Sequence, residues 1–335
     1  MTSALETLSG ALCPWLAPAL SQLEAARRDE HLGHAWLISG PAGSGKINLA
    51  LVLARRLLGS ETRPATLGPE AALAALAERH QPMDRHPDLH WLHPEDDKET
   101  ISVEQVRDVI DSLALTAHRG GAKVVIVEPA EAMTPAAANA LLKTLEEPTL
   151  GSYLLLLSHR PGRLPATIRS RCQQVKIGTP NAASLADWLA VGPDVVASAR
   201  AAVGAAPIAV ASAIKGDSNS YFNALRSDLI KLCEDKVDVQ TVAQAWLKDG
   251  LEVALGWLMR RLHDELRCRA GGGSTEVTDP EAATLHNALR SLPTRTLFDA
   301  FEKADQLLNL LGSGLNVELA LQALLLAFVR NRGRS

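Results

Sequence analysis

A chain of 335 residues, 47% of them hydrophobic, carries enough apolar material for two or three buried cores. Its net charge of −4 argues against a protein that wraps nucleic acid by itself, which needs a strong Lys/Arg excess, and is compatible only with a local basic patch. The four cysteines, Cys13, Cys172, Cys233 and Cys268, form no C-x-x-C pair, so neither a disulfide framework nor a zinc module is indicated.

The longest apolar run, Leu319 to Val329, is interrupted by Gln322 and is too short to cross a bilayer. No basic-then-apolar signal segment opens the chain. The expectation is a cytoplasmic protein with no membrane contact.

In chain order, Ala35 to Ser39 reads as a short strand, followed by a Gly-rich turn and a helix with Leu49, Leu53, Ala54 and Leu57 at helical spacing. The connection from Gly59 to Gln81 is long, and Pro69 to His80 within it is helical in composition. A second strand is expected at Lys123 to Val127, an Ala/Leu-rich helix at 134–147 and a third strand at Tyr153 to Ser158. Strands alternating with helices imply an α/β domain whose parallel sheet is covered on both faces. In the helix, Ala138, Leu142 and Leu145 are expected to be buried, with Lys143, Glu146 and Glu147 outward.

From about Pro180 the strands stop. Helices are expected at 219–235, 239–269, 281–291, 295–311 and 316–331, with Gly271 to Ser274 as a flexible loop. The chain therefore divides into an α/β domain (1–177), a small helical domain (178–216) and an all-helical C-terminal domain (217–335). Leucine stripes at Leu307, Leu308 and Leu311, and at Leu319, Leu321, Leu325 and Phe328, suit a core and an oligomer contact.

Gly40-Pro-Ala-Gly43-Ser-Gly45-Lys46 matches G-x-x-x-x-G-K, in which glycines turn backbone N–H groups toward phosphate and the lysine reaches the terminal phosphates. Gly40, Gly43, Gly45 and Lys46 are the candidate phosphate-binding residues. The next position should place a hydroxyl on Mg²⁺, yet it is Ile47. The strand that should end in a metal-supporting carboxylate, followed by a Glu that activates water, reads Val127-Glu128-Pro129, so Pro129 stands where a base belongs. Lys46 also reads as a solvated lysine at a helix start, and Glu128 as a strand-end carboxylate bonded to backbone.

The stretch Ala130 to Pro148 (AEAMTPAAANALLKTLEEP) and Leu164 to Cys172 (LPATIRSRC), with His86-Pro-Asp88, Ile101 to Arg107 and Gly120 to Val125, resembles the clamp-loader branch of the AAA+ ATPases. The resemblance covers most of 30–177. It implies an AAA+ P-loop NTPase-like domain, a small helical lid and an all-α collar. It also implies that Ser170-Arg171-Cys172 faces a neighbouring subunit, with Arg171 as an arginine finger supplied in trans and Ser170 and Cys172 as its motif context. Arg171 as a surface arginine, and Arg169 as the finger, are the alternatives. Cys172 reads as a packing residue.

Against the branch's ATP-hydrolysing gamma/tau motor, the sensor Thr is replaced by Ser158 or His159, and the lid Gly-Ser-x-Arg by Gly204-Ala-Ala-Pro207, which removes its arginine. The resemblance thus implies a subunit that does not hydrolyse ATP and works with gamma/tau and delta subunits to place a sliding clamp on primer-template DNA. Any DNA polymerase activity would belong to the assembly. The rivals are an active gamma/tau-like ATPase and an inert scaffold. No cofactor is required in this reading. The intact loop leaves room for weak ATP or ADP binding, and the absence of cysteine from 59–90 predicts no zinc where relatives often carry a four-cysteine module.

Overall fold

The computed structural model describes residues 4–28, 33–60, 62–77, 86–95, 98–117, 121–215, 218–271, 280–311 and 316–329. The chain forms two compact units, one of Met1–Val196 with Ala205–Ser212 and one of Ala197–Gly204 with Ala213–Ser335. The stretch 178–216, expected as a small domain, is divided between them. Residues 272–274 of the expected flexible loop, and the ends of the helices expected at 69–80 and 316–331, lie outside the described residues.

The first unit begins with α1 (Ala4–Gly10), β1 (Ala11–Leu12), α2 (Ala17–Arg28), β2 (Ala35–Ser39), α3 (Lys46–Leu57), β3 (Ala65–Thr66) and α4 (Pro69–Ala77). It continues through β4 (Leu89–Leu92), α5 (Val103–Ala114), β5 (Lys123–Val127), α6 (Pro135–Glu146), β6 (Ser152–Ser158), α7 (Ala166–Arg169), β7 (Gln173–Lys176) and α8 (Ala182–Leu189). Five strands form one parallel sheet in the order β4-β5-β6-β2-β7, and β1 pairs separately with β3.

Alternate residues of each strand face opposite layers, as the period of two requires. Trp36, Ile38, Val124, Ile126, Leu155 and Leu157 pack with α3 and the N-terminal helices. Leu37, Val125, Val127, Leu154 and Leu156 pack with α5 and α6. This is the α/β arrangement, a parallel sheet covered on both faces, that the sequence implies.

Local chemistry fixes the helix ends. Ser102 and Gln105 form a reciprocal capping box at the start of α5, and the Thr134 hydroxyl accepts from the Ala137 N–H at the start of α6. The ammonium of Lys123, only 6% exposed, donates to the Ser112 and Leu115 carbonyls at the end of α5. A cation there meets both the orphan carbonyls and the negative end of the helix dipole.

Strands were expected at 35–39, 123–127 and 153–158, and all three are present. The edge strands β4 and β7 carry a weaker pattern, since Leu-His-Trp-Leu and Gln-Gln-Val-Lys each bury a single residue. The buried stripe of α6 runs through Ala137, Ala138, Leu141, Thr144 and Leu145; Leu142, expected in it, is only partly buried.

The second unit is all-helical, as expected, with α11 (Ser218–Cys233), α12 (Val239–Asp249), α13 (Leu251–Arg269), α14 (Pro280–Arg290), α15 (Thr294–Leu310) and α16 (Val317–Leu325). It is preceded by α9 (Pro193–Val203) and α10 (Pro207–Lys215). One helix was expected over 239–269. Instead the chain breaks at Gly250, whose φ of 114° lies in a region that L side chains rarely adopt, so it ends α12 and starts α13.

Glu265, 3% exposed, anchors the α13–α14–α15 packing. Its Oε1 accepts from Arg269 Nε at 2.8 Å, and its Oε2 lies 2.8 Å from His286 Nδ1. The Arg269 terminal nitrogens donate to the carbonyls of Leu289, Arg290 and Leu292 and to the Thr294 hydroxyl, satisfying the end of α14. Arg269→Met removes these bonds and leaves the Glu265 carboxylate with His286 as its remaining partner. The expected loss is about 3 kcal/mol, because a buried carboxylate loses its arginine and the end of α14 loses its donors. Urea unfolding checks this; an unchanged midpoint would refute it.

Candidate functional site

The turn between β2 and α3 brings Gly40, Gly43, Gly45 and Lys46 together, as the motif requires. Gly40 must lack a side chain, since a Cβ there would come within 2.8 Å of the Ile177 carbonyl. Gly43 and Gly45 adopt φ of 72° and 84°. Lys46, 6% exposed, turns its ammonium back on the loop and donates to the Gly40 and Pro41 carbonyls, each at 2.8 Å. The Gly43 carbonyl accepts from the Ile208 N–H at 3.1 Å, where α10 begins.

Ile47 is 2% exposed and belongs to the apolar core under α3. A buried aliphatic side chain offers no oxygen to a metal, so this position does not fit the Mg²⁺ of a P-loop hydrolase. Among the described residues, no group of three or more His, Cys, Asp and Glu side chains converges as a metal site would require.

The adjoining residue, Asn48, ties the N-terminal segment to the loop. It is fully buried, accepts from the Cys13 N–H at 2.9 Å and donates to the carbonyls of Leu8 and Ala11 at 2.5 and 2.7 Å. The segment so held sets Leu16, Cys13 and Trp15 against Gly45. Trp15 Nε1 donates to the Ser44 carbonyl at 2.8 Å, and its ring packs edge-on against Trp188 with centroids 4.9 Å apart. Burial pushes the Cys13 thiol up to about 12.

At the end of β6, Ser158 is fully buried and its carbonyl accepts from the Gly40 N–H. Its hydroxyl accepts from the Arg160 N–H at 3.2 Å. A carboxylate beside it is Glu131, whose Oε1 accepts from the N–H groups of His159 and Arg160 at 3.1 and 2.9 Å and lies 3.3 Å from His159 Nε2. Burial alone would raise the Glu131 pKa, but hydrogen bonds from Ser158 and main-chain N–H groups, together with His159, outweigh it and hold the carboxyl below its usual range. A carboxylate so stabilised in its ionised form is a poor proton acceptor. Its role is to join the ends of β5 and β6.

Ser170, Arg171 and Cys172 occupy the turn from α7 into β7. Cys172 is 8% exposed, and burial pushes its thiol up to about 11, which fits the packing role expected of it. The Ser170 hydroxyl donates to the Thr167 carbonyl at 3.2 Å. Arg171 is exposed. Its Nε and Nη2 reach Glu146 Oε1 at 2.8 and 2.5 Å, and its Nη1 donates to the Thr167 carbonyl at 3.0 Å.

The two groups of residues lie at opposite ends of one strand pair. β2 and β7 run parallel, with Trp36 opposite Gln173 and Ser39 opposite Lys176. The phosphate loop follows the C-terminal end of β2, whereas Arg171 precedes the N-terminal end of β7. At ~3.3 Å per residue the separation is on the order of 15 Å, beyond the reach of one side chain. Sequence reasoning found both groups but missed Asn48, Trp15 and Glu131. A polar residue within the apolar run Ile47 to Ala54 was the available sign of Asn48.

A family profile described as DNA polymerase III, delta subunit matches residues 16–181, and one described as DNA polymerase III, delta subunit, C terminal matches residues 220–330. The chain is 40% identical over 250 residues to DNA polymerase III subunit delta' of Pseudomonas aeruginosa, covering 73% of this chain and 74% of that protein. It is 32% identical over 328 residues to subunit delta' of Yersinia pestis, covering 94% of each. Its similarity to DNA polymerase III subunit tau of Salmonella typhimurium, 35% identity over 143 residues, spans 42% of this chain and 21% of that protein.

Asn48→Ala leaves three main-chain groups, at Leu8, Ala11 and Cys13, without their side-chain partner. The expected destabilisation is about 2–4 kcal/mol, since each unsatisfied buried group costs ~1–3 kcal/mol before the segment relaxes. Denaturant unfolding followed by tryptophan fluorescence measures it, and a variant as stable as the parent would exclude this role.

Proposed function

The chain belongs to the DNA polymerase III subunit delta' family, and from that premise we propose that it acts as a non-hydrolysing AAA+ subunit that donates Arg171 to nucleotide held by a neighbouring gamma/tau subunit. The observation that carries this reading is the opposite placement of Arg171 and the phosphate loop across β2 and β7. A guanidinium there cannot serve the loop of its own chain. Its planar fork suits the γ-phosphate oxygens of a nucleotide presented by another subunit.

In this reading the chain's own loop is structural. Ile47 supplies no metal ligand, Pro129 no base and the segment Gly204 to Pro207 no sensor arginine, so hydrolysis has no machinery here. No cofactor is required, no zinc is bound, and ATP or ADP associates weakly at most. The partners are gamma/tau and delta, and through the assembly the sliding clamp and primer-template DNA, in the cytoplasm. Helices within 178–216 act as the lid and those of 217–335 as the collar. Among the described residues no helix is long and apolar enough to cross a membrane.

A reconstituted clamp loader tests the proposal through DNA-stimulated ATP turnover. Arg171→Ala is expected to produce a marked loss, on the order of 10³ at the one site it serves, by analogy with fingers in other nucleotide hydrolases. Lys46→Ala is expected to turn over close to the parent. Parent-like turnover with Arg171→Ala would instead identify an inert scaffold.

A further inference from the structure

We propose that Glu146 is a positioning residue for Arg171, aligning its guanidinium for the neighbour's phosphate; the inference rests on the finger reading above. Glu146 is the last residue of α6. Its Oε1 accepts from Arg171 Nε at 2.8 Å and makes an ion-pair contact with Nη2 at 2.5 Å, along one edge of the guanidinium. The Thr167 carbonyl accepts from Nη1 at 3.0 Å. A guanidinium carries five N–H bonds in a fixed fork. Two donate here, from Nε and Nη1, and Nη2 pairs with the carboxylate, so each terminal nitrogen still has an N–H directed away from Glu146. These two can meet a pair of phosphate oxygens while the inner edge stays held.

The support beneath Glu146 is rigid. Ala137, Ala138, Leu141 and Leu145 of α6 are buried, and His34 Nε2 lies 2.8 Å from the Leu145 carbonyl near the helix end. Thr167 belongs to α7, which packs against α6 and seats Ile168 fully buried in the same core. The helix backbones that carry the carboxylate and the carbonyl are thus both anchored in the core.

The Arg171 and Glu146 side chains are 35% and 51% exposed. A pair so open to solvent contributes little to folding. Its consequence is a restricted set of arginine rotamers, and an arginine already ordered loses less entropy when it engages phosphate. Glu146 therefore acts on the rate of the neighbour's hydrolysis through Arg171 and touches no substrate itself.

The test is ATP turnover by the assembled loader with Glu146→Ala, Glu146→Gln, Arg171→Ala and the double variant Glu146→Ala/Arg171→Ala. Glu146→Ala is expected to lower kcat about two- to tenfold, the scale of freeing one long side chain, with KM for ATP little changed. Glu146→Gln, which keeps an acceptor oxygen, is expected to lose less. In the Arg171→Ala background, Glu146→Ala should have no further effect.

An unchanged or raised kcat for Glu146→Ala, beside a loss for Arg171→Ala, would overturn the positioning role and leave the finger reading intact. A loss that persists in the Arg171→Ala background would show that Glu146 acts through the fold and would overturn it equally. Parent-like turnover with Arg171→Ala would remove the finger reading itself, and this inference with it.

Discussion

Parallel pairing of β2 with β7 is the constraint on which the functional geometry depends. In parallel strands the residues after one and before the other fall at opposite ends of the pair. With Trp36 opposite Gln173 and Ser39 opposite Lys176, the phosphate loop emerges at one end and Arg171 at the other. The order β4-β5-β6-β2-β7 puts β2 inside the sheet and β7 at its edge, so the arginine is carried on the margin of the domain. An arginine so placed lies beyond reach of the phosphate loop of its own chain.

The loop has the form of a phosphate cradle, and several of its groups bond within the chain. Lys46 bonds to the carbonyls of its own turn, Gly43 accepts from Ile208, and Ser44 accepts from Trp15. Ile47 and Asn48, adjacent in α3, divide the work of joining the helix to its surroundings. One fills the core, and the other bonds three main-chain groups of the N-terminal segment. Glu131 does the comparable task where β5 and β6 end.

Much of the fold was legible because its elements carry strong periodic signals. Val124 to Val127 and Leu154 to Leu157 are apolar runs buried on both faces, and Gly40 to Lys46 is a turn that only a few sequences satisfy. β4 and β7 were not legible, since an edge strand with one buried residue depends on its neighbour for register. The break at Gly250 was hidden because Leu251 and Ala254 continue the apolar spacing of α12 across a residue whose backbone has turned away. At the site, Arg171 was visible as a motif, but Glu146 twenty-five positions earlier was not, because only the packing of α6 on α7 brings them together. Glu131 was missed for the same reason, its partners lying in the turn after β6.

The central claim is that catalytic chemistry resides at Arg171 and not in this chain's own phosphate loop. ATP turnover by the isolated chain, with and without Lys46→Ala, tests it most directly. The account predicts no turnover above background for either protein. Mg²⁺-dependent hydrolysis by the parent chain that disappears in Lys46→Ala would contradict it and identify the loop as a working motor.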